Sequence, residues 1–383
     1  MRARRPFALA AALVVLAGLP ACSGSGGPEP AASPSANVIR LAGVLPLTGR
    51  SSHTGESMLN GARLAVSEVN AVGGVLGRQV ELVAEDDACD PGTAVTAAQA
   101  VVKRDVAVSV GGYCSSAVVP TLKIFRDAGV PMVIAQANST DLIAPHYDSV
   151  FLICGTVTAE AVFAVDWIKR LGGKRVSIVH DGTSFPLTLA DSTAARARAT
   201  GELTVAGELK LSQGATDYQR IAQAVIASKA DTVYYTGYYG EANQLIKDLR
   251  TKGFSGRIVV GDGATDGPLL ADLSEGQSRD VYGTALLIPE FMPELAEWSQ
   301  RYERAYGAAP GPSSAESYDA VMVAVDAIKR AGSTGHDALR AALSTTAHAG
   351  LSGTVSFNAD GTRTVPKFLL LKADGKKFRL AGG

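Results

Sequence analysis

Two serines, Ser115 and Ser116, follow the glycine pair in Ser109-Val110-Gly111-Gly112-Tyr113-Cys114 and precede a helical pattern carried by Val118, Leu122 and Phe125. Serines at N-cap positions, with unpaired backbone N–H groups at a helix start, favour an anion such as a carboxylate. That is binding chemistry, and the chain offers little that would break bonds. The five histidines, at 53, 146, 180, 336 and 348, include no His-Glu-x-x-His spacing, and there is no Gly-x-Ser-x-Gly elbow. His180-Asp181 reads as a turn closing a strand. Gly261-Asp262-Gly263-Ala264-Thr265-Asp266-Gly267 follows a strand, but its third glycine comes a residue late and a carboxylate stands where a pyrophosphate would approach. Asp86-Asp87 reads as a solvated loop. Cys89, Cys114 and Cys154 lack zinc-site spacing, so neither metal nor cofactor is expected.

The elements around these residues alternate. Val38 to Leu45 is an apolar strand, and Met58, Ala62, Ala65, Val66 and Val69 mark the face of a helix stopped by Gly73-Gly74. A strand from Gln79 follows, then an Asp90-Pro91 helix start, a strand at 106–110, a helix, and a strand at 130–135. Near Val150 the rhythm pauses. It resumes with a helix at 163–171, strand 175–180, helix 187–200, strand 202–209, helix 216–229, strand 232–236, helix 241–251 and strands 258–261 and 281–287. Helices at 292–306 and 315–331 and β-like stretches near 353–357 and 366–371 complete the pattern. The fold class is α/β, with two doubly wound parallel-sheet domains and a cleft between them. In such sheets ligands gather at the carboxyl ends of strands, where the Gly111-Gly112 turn lies. Alternation along the strand is expected to bury one of each pair Tyr234-Tyr235 and Tyr238-Tyr239.

Net charge is −1 over 383 residues, with no basic run beyond the N-terminus, so nucleic acid is not an expected partner. Residues 1–21 read as an export signal: Arg2, Arg4 and Arg5 precede an apolar run from Phe7 to Leu19 that is too short to span a bilayer. Leu19-Pro20-Ala21-Cys22 resembles a bacterial lipobox, which makes Cys22 the lipidation site. Residues 22–37 then form a Gly/Ser/Pro-rich tether. The body is expected to sit outside the cytoplasmic membrane, where disulfides persist. Three thiols allow three pairings, and spacing does not choose among them.

Four stretches carry a family resemblance: Asp86-Asp87-Ala88-Cys89-Asp90-Pro91, Gly111-Gly112-Tyr113-Cys114-Ser115-Ser116, Ile178-Val179-His180-Asp181 and Val233-Tyr234-Tyr235-Thr236-Gly237-Tyr238. Leu47-Thr48-Gly49, Gly55 and Asn60-Gly61-Ala62 add to them. From Val38 to Phe368 the chain resembles the leucine/isoleucine/valine-binding proteins of bacterial ABC importers, which have the type I periplasmic-binding-protein fold. The resemblance implies a three-strand hinge, one lobe of 38–156 plus 288–350, and a second of 157–287 plus 351–383. It also implies a Cys89–Cys114 disulfide, with Cys154 left as a buried thiol.

Carried over residue by residue, the resemblance gives Ser115 to a ligand α-carboxylate, Tyr238 to a reach across the cleft, and Asp262 to the α-ammonium. Gln136, Ala137 and Asn138 fall in a loop that supplies further polar contacts, with Asn138 in place of the usual threonine. Tyr113, Thr54 and Phe185 depart from the family's side-chain pocket, so ligand choice does not transfer. The implied protein is a monomeric amino-acid receptor, lipid-anchored through Cys22, delivering to an ABC permease. A sensor accessory and a receptor for another small molecule are the alternatives.

Overall fold

The computed structural model describes residues 38–265 and 267–382; the expected leader, Cys22 and tether lie outside them. The first sheet has five parallel strands: β1 (Val38–Leu45), β2 (Gln79–Asp86), β3 (Val106–Ser109), β4 (Met132–Ile134) and β5 (Val150–Leu152), in the order β2-β1-β3-β4-β5. The pause expected near Val150 is therefore a fifth strand, short and wholly buried. Around this sheet lie α1 (Ser52–Ala71), α2 (Pro91–Val102), and α3 (Ser115–Val118), which runs through a 3-10 turn into α4 (Leu122–Asp127). Asp90 caps α2, accepting from the Thr93 N–H at 2.8 Å, with Pro91 supplying a preset φ at the first helical position.

The second sheet contains β6 (Arg175–His180), β7 (Thr204–Lys210), β8 (Thr232–Tyr235), β9 (Arg257–Val260) and β10 (Val281–Ala285), all parallel. Its helices are α5 (Val157–Arg170), α6 (Ser184–Thr200), α7 (Gln219–Ala227), α8 (Tyr239–Thr251) and the short α9 (Glu275–Ser278). The chain then returns to the first sheet with α10 (Ala296–Tyr306), α11 (Ser314–Ala331) and α12 (His336–Ser344), α11 packing along α1. A hairpin of β11 (Ala347–Gly350) and β12 (Gly353–Ser356) follows. Finally β13 (Leu369–Asp374) and β14 (Lys377–Gly382) add to the second sheet antiparallel, in the order β14-β13-β10-β9-β8-β6-β7.

Strands covered on both faces have no exposed side. Tyr234 and Tyr235 are both fully buried, against the expectation that alternation would divide them. Asp87 is also buried rather than solvated: its carboxylate accepts from the Cys89 N–H at 2.8 Å.

Three segments cross between the sheets, and each contributes one residue to a small apolar cluster: Cys154, Leu286 and Phe368. The third crossing falls later than the boundary at 351. Leu152 N–H donates to Gly361 C=O at 2.9 Å, and Arg363 donates to Ile153 C=O at 2.9 Å and Ser352 C=O at 2.7 Å. Asp319 on α11 accepts from the Leu351 and Ser352 N–H groups, each at 2.8 Å. Residues 352–364 thus complete the first half, because their backbone groups find partners there.

Candidate functional site

The Gly111-Gly112 turn leaves β3 pressed against β1. A Cβ on Gly111 would stand 2.5 Å from the Val44 carbonyl oxygen, and Gly112 adopts φ +97°. Only glycine fits both demands. The turn then holds the next loop: Gly111 C=O accepts from Ala135 N–H, and Gly112 C=O accepts from Gln136 and Ala137 N–H, all at 3.1 Å. Cys89 and Cys114 are disulfide-bonded with Cα atoms 5.4 Å apart, tying the loop after β2 to this turn, while Cys154 is a buried free thiol. Cys114, not a serine, occupies the cap position, and Ser115 is the first helical residue. Its hydroxyl faces the loop instead, accepting from the Ser139 N–H at 3.2 Å.

From the other sheet, β9 ends in a 3-10 turn, Asp262–Ala264, steadied by the Thr265 hydroxyl donating to Asp262 C=O at 2.8 Å. The Asp262 carboxylate meets the 136–138 loop. Asn138 Nδ2 donates to its Oδ2 at 3.1 Å, and Gln136 Nε2 lies 3.5 Å from the same atom. Behind Asp262 is Glu160, fully buried in the first turn of α5. Its Oε1 accepts from Asp262 N–H at 2.9 Å and from the Thr284 hydroxyl at 2.7 Å, and Tyr234 OH lies at 3.4 Å.

Burial pushes the Asp262 carboxyl up to about 7, with the Gly263 N–H, Glu160 and Asn138 pulling the other way. Burial and the Asp262 charge drive Glu160 well above the usual carboxyl range. Both shifts are driven first by burial, and the two carboxyls, one behind the other, disfavour each other's charged form.

Two further bridges join the halves. The Ser184 hydroxyl donates to Asp141 Oδ2 at 2.7 Å and lies 2.9 Å from Ser139 Oγ, and the Thr188 hydroxyl lies 3.1 Å from Ser139 Oγ. Arg50 forms an ion pair with the buried Glu241 and accepts, at its carbonyl, a hydrogen bond from Tyr239 OH. The Tyr238 ring packs between Tyr113 and Phe185, with centroids at 6.0 and 5.6 Å. Thr54, Tyr113, Gln136, Asp262, Thr265, Pro312, Ser313 and the hinge residues 286–288 line a cleft cavity of about 10 Å³.

Of the residues expected at the site, Tyr113, Gln136, Asp262 and Thr54 line this cavity. Asn138, Phe185 and Tyr238 pack around it, while Ser115 and Ala137 lie fully buried in the supporting layer. Sequence reading missed Glu160, Ser184, Arg50 and Glu241. Glu160 alone had a usable signal: an acid spaced with Val157, Ala161 and Ala164 on the apolar face of a helix. Among the described residues, no group of His, Cys, Asp and Glu is placed to hold a metal ion.

The chain is 30% identical over 300 residues, 77% of its length and 79% of the relative's, to an "Amino acid binding protein" of Pseudomonas aeruginosa. A "Leu/Ile/Val-binding protein BraC3" of Rhizobium johnstonii is 32% identical over 229 residues, 60% of this chain and 62% of that one. A crystal structure of a leucine binding protein from Thermotoga maritima superposes with a TM-score of 0.82 at 24% identity, covering 90% of this chain and 98% of the other. The pattern of the periplasmic binding protein family matches residues 38–377, and the chain belongs to that family.

Proposed function

We propose that the protein is the substrate-binding component of an ABC importer, lipid-anchored outside the cytoplasmic membrane through Cys22, and that it takes an amino acid by closing its two halves and delivers it to a permease. The observation that carries this reading is the buried Asp262 carboxylate, met across the cleft by the Asn138 and Gln136 amides. An ammonium is the group that such a carboxylate accepts best. An uncharged or purely acidic ligand would leave it desolvated without a cation. On binding, the ammonium replaces the Asn138 amide at Oδ2, and the freed amide turns to the ligand's carboxylate, since it can donate as well as accept. Tyr238, Tyr113 and Phe185 supply an apolar wall, and the serine-rich loop joins the halves once they close. The names of the family relatives, an amino acid binding protein and a Leu/Ile/Val-binding protein, support the same class of ligand.

Mass spectrometry of small molecules released on denaturing the purified protein, followed by calorimetry with each molecule found, tests the reading. Recovery of an unchanged α-amino acid that binds again is the expected result. Recovery of a ligand without an amino group, or turnover of the bound molecule, overturns it.

A further inference from the structure

A second and larger cavity adjoins the cleft. Thr265, Ile288 and Pro312 line both, so the two share a wall beside Asp262. The second holds about 350 Å³, bounded by Leu270, Phe291, Phe378 and the turn of Ala309 to Pro312, with Glu290, Lys376 and Lys377 also on its boundary. That volume lies in the range of small-molecule sites, which are mostly apolar with a few placed polar groups. At about 30 Å³ for each water-sized group, it admits roughly a dozen of them. A benzyl side chain is well accommodated there, whereas an isopropyl group would leave most of the space unfilled.

The walls come from both halves and from the hinge. Ala309 to Pro312 precede α11 on the first half, Leu270 and Phe378 belong to the second, and Ile288 to Phe291 are on the second crossing. A side chain seated here therefore touches every part that moves when the halves close. Ser313, next to this wall, is buried with φ +64°, a conformation that costs a non-glycine residue energy.

We infer that this chamber is the side-chain subsite, and that the ligand is an aromatic α-amino acid whose ring lies among Leu270, Phe291 and Phe378 while its ammonium sits at Asp262. The inference rests on the amino-acid reading above. Its direction follows from the cavities: the cleft itself offers about 10 Å³ beside Asp262, and the adjoining space is in this chamber. Ring edges and faces from Phe291 and Phe378 favour another ring over an aliphatic chain of equal area.

Calorimetry with L-phenylalanine, L-leucine and L-valine on the wild-type protein, Phe291→Ala and Ala309→Trp tests the inference. Ala309 is exposed, so its replacement keeps the test alive if Phe291→Ala fails to fold. The wild type should prefer L-phenylalanine to L-valine by at least about tenfold, the scale on which an apolar pocket discriminates by size. Either folded variant should lose L-phenylalanine affinity by about tenfold or more, with any L-valine binding changed less than about twofold. L-leucine or L-valine binding the wild type as tightly as L-phenylalanine would overturn the subsite and leave the amino-acid reading standing. Failure of all three and of every other common α-amino acid to bind would overturn both.

Discussion

Asn138 and Asp262 stand 124 positions apart in the chain on opposite sides of the cleft, and the amide of one donates to the carboxylate of the other at 3.1 Å. The amide thus occupies the position at Asp262 Oδ2 that a ligand ammonium would take. Asp262→Ala should weaken amino-acid binding by about 2–5 kcal/mol, the range for truncating one partner of a buried charged pair. Isothermal titration with the identified ligand measures it, and affinity equal to wild type would remove the ammonium role. Asn138→Ala should shift the unliganded protein toward an open form, seen as a larger radius of gyration in solution scattering.

Stability should depend on pH through the same carboxyl. Asp262 is raised to about 7 when folded, from an ordinary carboxyl value near 4 in the unfolded chain. The folded state therefore holds a proton that the unfolded state has lost, and its stabilising effect, full below about 4, disappears as pH rises through about 7. Asp87, raised by burial to about 6, and Glu316, raised by burial to about 8, act in the same direction. Thermal melts from pH 4 to 8 should show a falling Tm, and Asp262→Asn should reduce the slope without abolishing it. Ligand affinity should move oppositely, strengthening as Asp262 ionises.

Glu160 has a supporting role that a stability measurement separates from binding. Removing it orphans the Asp262 N–H, at about 1–3 kcal/mol for a buried donor left unsatisfied, and leaves the Thr284 hydroxyl only longer contacts to Val260 C=O and Tyr234 OH, each at 3.3 Å. Glu160→Ala should lower the denaturant midpoint, and Glu160→Gln, which keeps an acceptor oxygen in place, should lower it less. Equal midpoints for both variants and wild type would contradict the network.

The Cys89–Cys114 disulfide closes a loop of 25 residues, for which chain-entropy arguments give about 3 kcal/mol. Denaturant unfolding with and without reductant should differ by about that amount, and non-reducing peptide mapping should recover this pair with Cys154 free.

Membrane attachment is tested on the segment before the described residues. Cys22→Ala should move the protein from the membrane fraction to the soluble one, with loss of a diacylglyceryl mass. A variant that stays membrane-bound, beside wild-type protein carrying no lipid mass, would remove the anchor.

Much of the framework was legible because apolar periodicity and glycine placement are local signals. Gly111-Gly112 identified the central turn, and Asp90-Pro91 marked the start of α2. Glu160 was missed because the helix was expected to begin at Phe163, whereas α5 begins at Val157. The β-branched run Thr156-Val157-Thr158 hides a first turn that tertiary packing makes helical. Arg50 and Glu241 were invisible for a different reason. Nothing local in either sequence reveals a partner 191 positions away. The serines of the central turn were expected at the cap position, which Cys114 occupies instead.

The order in which the chain visits its two sheets bears on how it is made. The face of α1 waits for α11, more than two hundred residues later, and the edge of β10 stays open until β13 arrives. A nascent chain ending near residue 310 would therefore carry an uncovered helix face and an unpaired strand edge, and neither half could finish without the other's last segments. The two sheets of such a chain can be completed only once its last segments have emerged.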